Sequence, residues 1–171
     1  GEVVFPVLNA EYPAAIPNRP VPQANEVHLF DGQREQVIYR NTDWVIMQTH
    51  FVNDGQDVAI ILLEANGSLP VRYRIDVVSR NGAIQTLPSL YENYLQVANY
   101  RDGAVILWAE STENNAYITH LDVSDADGTV ETLWTYQHPE NTDSFSYLEL
   151  VWSQPLPKDA NYAPFTEYTE N

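Results

Sequence analysis

The chain repeats itself. Shifted by 46 residues, VAIILLEA (Val58–Ala65) falls on AVILWAES (Ala104–Ser111), and YRIDVVSRNGAIQTL (Tyr73–Leu87) falls on THLDVSDADGTVETL (Thr119–Leu133). Over 58–87, seven of thirty ungapped positions are identical, among them Glu64/Glu110, Asp76/Asp122, Gly82/Gly128 and Leu87/Leu133. A fixed internal period constrains the fold more than any single motif does. Each repeat has to be one supersecondary unit that buries its apolar face on its neighbour.

The repeating unit reads as four strands. WVIMQTH (Trp44–His50) matches YLQVANY (Tyr94–Tyr100) as a first strand, and each is followed by a turn, Asp54-Gly55 or Asp102-Gly103. The apolar runs Val58–Ala65 and Ala104–Ser111 form the second strand. A tight Asn81-Gly82 or Asp127-Gly128 turn joins third to fourth, since these dipeptides supply the positive φ of hairpin turns. Helical periodicity is absent, so an antiparallel four-stranded meander is expected.

The flanks fit the same template. GEVVFPVL (Gly1–Leu8) has the form of a second strand, and EVHLFDGQREQVIY (Glu26–Tyr39) that of a third and fourth around Asp31-Gly32. YLELVWS (Tyr147–Ser153) reads as a further first strand. These runs divide residues 1–153 into a partial unit (1–41), two full units (42–90 and 91–143) and a lone first strand (144–153). Residues 154–171, with three prolines, read as an extended tail without strand pattern.

The segments VHLFDGQREQVIY, YRIDVVSRNGAIQTL and ITHLDVSDADGTVETL resemble the outer hairpins of TolB-like, WD40-like (PD40) β-propellers. The resemblance implies an all-β propeller with one blade per unit. The Ser-Asp-Arg stretch that follows strand 2 in that family is replaced here by Glu64-Ala65-Asn66 and Glu110-Ser111-Thr112. Propellers usually close with about four to eight blades, so the chain is expected to be an incomplete ring. Three arrangements are compatible, in descending order: a segment of a larger propeller, two copies meeting through open blade edges, and a three-bladed ring closed by strand exchange. A β-sandwich of two facing sheets is the alternative architecture.

Composition limits the partners. A net charge of −16, with seven scattered Arg and one Lys, repels nucleic-acid phosphate and anionic membrane surfaces. The longest apolar run, Val58–Leu63, is far too short to insert in a bilayer. Without cysteine there is no disulfide or thiolate chemistry. Acidity and scarce Lys suit an extracytoplasmic location, and no signal peptide is visible at Gly1.

The candidate chemistry is sparse. Asp122, Asp125, Asp127 and Gly128 suggest a calcium loop. With Gly128 at loop position 6, however, Val123 and Trp134 fall where oxygen ligands belong. The repeat partner also replaces Asp125 and Asp127 by Ser79 and Asn81, so the stretch reads as a hairpin turn with a solvated edge. An Asp-box of the sialidase type is out of phase at Ser124. For glycoside hydrolysis, the central positions Ile46, Gln96 and Glu149 supply one carboxylate and no partner. The matched Glu64 and Glu110 read as shared structural acids. No Gly-x-Ser-x-Gly elbow occurs. His28, His50, His120 and His138 lack metal-ligand spacing, and His120 with Asp122 reads as a solvated strand face.

Trp44, Tyr94 and Tyr147, with Phe51, Tyr100 and Trp152, read as packing residues of the first strands. Tyr91, Tyr117, Tyr136, Tyr162 and Tyr168 are the candidate interaction surface, because tyrosine is enriched in binding hot spots. A non-catalytic propeller module for protein–protein interaction or structural assembly is therefore expected, without cofactor or metal. Its partner would be another protein or the rest of a larger propeller. The alternative is the propeller portion of a hydrolase, a peptidase gate or glycosidase, whose catalytic residues lie outside this chain.

Overall fold

The computed structural model describes residues 2–12, 15–16, 23–65, 71–112, 116–139, 146–150 and 165–169. Every pairing between its strands is antiparallel. The first sheet is a meander of β1 (Val3–Val7), β2 (Glu26–Phe30) and β3 (Glu35–Arg40). The second runs β4 (Trp44–Val52), β5 (Asp57–Glu64), β6 (Arg72–Ser79) and β7 (Ile84–Thr86), and β8 (Tyr91–Glu92) returns to pair with the start of β6. The third contains β10 (Gly103–Ser111), β11 (Tyr117–Asp125) and β12 (Val130–Gln137), with β9 (Tyr94–Tyr100) alongside β10.

The repeat seen in sequence reappears as register. Val58 pairs with Val78, and Ala104 with Ser124; Ile60 pairs with Asp76, and Ile106 with Asp122; Leu62 pairs with Arg74, and Trp108 with His120. The outer hairpins match too, Asp76–Thr86 against Asp122–Thr132. Their turns are closed by the same main-chain bonds. Ser79 N–H donates to Ala83 O and Asp125 N–H to Thr129 O, both at 2.9 Å. Asn81 Oδ1 and Asp127 Oδ1 each accept the N–H two residues on, again at 2.9 Å. Gly82 and Gly128 hold φ of 83° and 81°, the left-handed region that side chains disfavour. The acidic stretch at 125–129 is thus a hairpin turn whose Asp127 serves its own backbone.

Stacking follows one rule. Val58, Ile60 and Leu62 of β5 are buried against the first sheet, with Val27, Tyr39 and Ile46. Ala59 and Ile61, on the opposite face, are buried against Ala104 and Ile106 of the third. Val105 and Leu107 turn away again, joining Leu121, Val123 and Trp134. Each unit therefore has an incoming face, set on the unit before it, and an outgoing face, set on the unit after it. Since both faces of the second sheet are covered, β5 is apolar at successive positions instead of alternating. The series is open: among the described residues, β1–β3 make no extensive contact with β10–β12.

Two features depart from expectation. The tail 154–171 was expected to lack strands, yet β14 (Phe165–Thr169) pairs with β13 (Ser146–Leu150), Tyr147 opposite Tyr168. Its prolines at 155, 157 and 164 precede the run FTEYT and leave its β-prone Phe, Tyr and Thr uninterrupted. The fourth strand of the second unit is also short. It ends at Thr86, and the chain then crosses to β8 beside Tyr73.

Gly103 opens β10 directly against the backbone of β11. A Cβ there would lie 1.7 Å from Ser124 O. Gly103→Ala is expected to cost about 1–3 kcal/mol through forced displacement of β11, measured by chemical denaturation. Gly32→Ala, with nothing within 4 Å of its added Cβ, carries only the φ penalty.

Candidate functional site

Three groupings of polar side chains stand out, and two of them lie between sheets. Between the first and second sheets, Asp76 is 3 % exposed and fully engaged. Its Oδ2 accepts from the Tyr39 hydroxyl at 2.5 Å and from Arg74 at 2.9 Å, and its Oδ1 accepts from Thr86 at 2.8 Å. Tyr39 comes from the preceding unit, so this bond ties one sheet to the next. Burial, and then the Asp76 bond, push the Tyr39 hydroxyl up to about 12. Arg74 also lies over the Trp44 ring, 4.8 Å from its centroid.

The equivalent layer between the second and third sheets is built differently. Asp122, 4 % exposed, accepts from the Trp108 indole at 2.7 Å, while its other oxygen has no partner among the described residues. Trp108 stacks on His120 with centroids 4.3 Å apart and meets Tyr91 edge-on at 5.5 Å. His120 Nε2 lies 3.2 Å from Glu110. Burial first, and the Asp122 charge second, raise the Tyr91 hydroxyl above its ordinary range. The reading of Asp122 and His120 as a solvated strand face is therefore corrected. Asp122 is buried because the incoming face of its sheet is covered by the second sheet.

The third grouping lies on the first sheet. Glu26, 2 % exposed, accepts from Arg40 Nε at 2.8 Å and Asn9 Nδ2 at 3.1 Å, and pairs with His28 at 3.0 Å. His28 Nδ1 meets Glu35 at 2.5 Å. The His28 bond holds Glu26 below the usual carboxylate range against the opposing effect of burial, with Arg40 and Asn9 adding to it. Burial is the largest influence on His28 and disfavours its charge. The bonds to Glu26 and Glu35 outweigh it, and the imidazole pKa rises.

These shifts have opposite consequences for stability. The His28 contribution is complete below the ordinary imidazole pKa of about 6.5 and is lost as pH rises through the raised folded value. The Glu26 contribution is present above the ordinary carboxylate range and is lost as pH falls through its folded value. The thermal midpoint is therefore expected to peak between the two ranges. In His28→Gln the decline on the alkaline side of that peak should disappear, as read by calorimetry across pH.

A cleft of about 370 Å³ opens at the turn end, between the Asp31 turn of the first sheet and the Asn81-Gly82 turn of the second. Arg80 crosses it, donating to both Glu2 carboxylate oxygens at 2.8 and 2.5 Å and to Gly55 O at 2.7 Å. An anion entering the cleft would have to displace Glu2. The next turn along this rim is joined in the same manner, Gln85 donating to Asp127 O.

Of the five tyrosines singled out from sequence, three have described side chains, and these differ in burial. Tyr91 is 0 % exposed and lies in the core under Trp108, which corrects its reading as a near-surface anchor. Tyr117 and Tyr136 are half-buried on the third sheet. Tyr136 is flanked by Trp134 at 5.8 Å and His138 at 4.8 Å. Tyr168 belongs to β14, and Tyr162 lies outside the described residues. Sequence reasoning missed Tyr39 and Arg74 as partners of Asp76. The signal was the strict identity of Asp76 and Asp122 inside apolar strands.

No group of three or more His, Asp or Glu that could hold a metal ion occurs among the described residues, and no helix among them is long and apolar enough to cross a membrane. No protein-family model, curated protein or solved structure matches the chain. The class that the geometry defines is an all-β protein of stacked antiparallel meanders.

Proposed function

We propose that the chain forms blades of a TolB-like, WD40-like β-propeller and serves outside the cytoplasm as a non-catalytic module for protein–protein interaction or structural assembly. One observation carries this reading: the second to fourth strands of two units share the same register under a 46-residue shift, and the units stack incoming face on outgoing face. That is the packing by which propeller blades follow one another. The buried acid Asp76 supports a structural role, since all its bonds hold strands and sheets together. Recognition would then fall to the rim of hairpin turns around Asp31, Asn81 and Asp127, where rigid strands present exposed loops.

The test is cross-linking mass spectrometry on the native protein in its source cells, with the purified chain assayed in parallel on peptide and glycoside substrate panels. Stoichiometric cross-links from the turn rim to one extracytoplasmic protein are expected. Turnover of a substrate by the purified chain would overturn the reading.

A further inference from the structure

At the turn end, the cleft of about 370 Å³ sets apolar side chains beside a cation. Val37, Phe51, Val58 and Val78 line it together with Arg80. Val37 keeps 48 % of its surface in solvent, so an apolar group entering the cleft would find a partner there. The turn itself does not need the arginine. In the third sheet the same main-chain bonds close around Ala126, which stands at the equivalent position. Arg80 is therefore an addition of this unit, and its planar fork matches the geometry of a carboxylate.

The chain itself shows what the fork takes. Arg80 donates from both terminal nitrogens to the Glu2 carboxylate, at 2.8 and 2.5 Å. Glu2 precedes Val3, the first paired residue of β1, so it can leave without breaking a ladder bond. The Arg80 bond to Gly55 O, 2.7 Å, does not depend on Glu2 and keeps the guanidinium in the cleft. Asp31 lies near Glu2, and Asp57 near Arg80. With these acids around a single guanidinium, a singly charged carboxylate is favoured over phosphate.

We propose that this cleft receives a glutamate side chain and an adjoining apolar residue from a partner protein, and that Glu2 occupies the fork until the partner displaces it. The chain's own Glu2-Val3 is the template for that ligand. The cleft volume lies within the roughly 300–1,000 Å³ of ordinary ligand sites. The inference rests on the turn rim being a recognition surface, and it names one site on that rim.

NMR titration of the full chain with the probe acetyl-Glu-Leu-amide tests the proposal. In Glu2→Ala, the Val37, Val58 and Val78 methyl signals and the Arg80 Nε–H should shift saturably. The expected dissociation constant is about 1 mM, that of a weak contact. With Glu2 in place, binding should be about tenfold weaker, because the competent state is then a minor one. Arg80→Ala, which copies the third-sheet turn, should keep its circular dichroism and lose the shifts. No saturation in Glu2→Ala at roughly ten times that constant would overturn the proposal. Shifts that survive Arg80→Ala, or that acetyl-Gln-Leu-amide or inorganic phosphate reproduces, would do the same. Equal binding with and without Glu2 would overturn its part as competitor. These results leave the wider rim reading standing, because its cross-links are scored at all three turns.

Discussion

Asp76→Ala is expected to lower the unfolding free energy by about 3 kcal/mol, at the low end for breaking a buried charged pair. The loss has three parts. The Tyr39 hydroxyl and the Thr86 hydroxyl lose their acceptor inside the protein, and Arg74 loses its counter-charge. Arg74 keeps 22 % of its side chain in solvent and can rehydrate, which moderates the cost. For a domain of this size the thermal midpoint should fall by roughly 6–12 °C. Asp122→Ala is the informative comparison. It occupies the same place in its sheet but, among the described residues, accepts from Trp108 alone and leaves its second oxygen unpaired. Its removal should cost only about 1 kcal/mol. Equal losses at the two aspartates, read from urea denaturation, would contradict these assignments. Tyr39→Phe should show a coupling with Asp76→Asn in a double-mutant cycle, because that hydrogen bond crosses between sheets.

The second large effect is in the apolar layers. Ile60→Ala and Ile106→Ala occupy equivalent positions, and both side chains are 0 % exposed. Each truncation should cost about 2–5 kcal/mol, combining lost burial with the cavity left in a packed interface. Ile60 contacts lie toward the first sheet and Ile106 contacts toward the second. The two losses should therefore add within about 0.5 kcal/mol, as expected for sites that share no partners. Val3→Ala, equivalent to Val58 but half in solvent, should be close to neutral. A loss at Val3 comparable to that at Ile60 would mean that the first sheet is covered within a single chain.

Strand order and register were legible in the amino-acid pattern because the repeat carries them. Asn-Gly and Asp-Gly dipeptides mark the outer turns, and the 46-residue offset aligns β5 with β10 and β6 with β11. Burial of polar residues was not legible in the same way. A polar residue alternating with apolar ones in a strand normally points to solvent. In a stack, both faces of an inner sheet are covered, so Asp76 and Asp122 are buried and need partners from elsewhere. Tyr39 reaches Asp76 from 37 residues upstream, a pairing that no local pattern encodes. Tyr91 was misplaced for a related reason. It follows a Pro-Ser-Leu link that reads as a surface loop, but β8 folds that link onto β6 and sets the ring against Trp108. The pairing of β14 with β13 was hidden by prolines that lie before the strand, not within it.

Methyl-selective NOE spectroscopy tests the central claim most directly, since Ile60 and Ile61 are adjacent in β5 yet face different sheets. Ile60 should show contacts to the first-sheet group of Val4, Val27 and Ile38, and none to Ile106. Ile61 should show contacts to Leu95, Val97 or Ile106, and none to Val27. Contacts from both residues to the same sheet would contradict the head-to-tail stacking of repeated units.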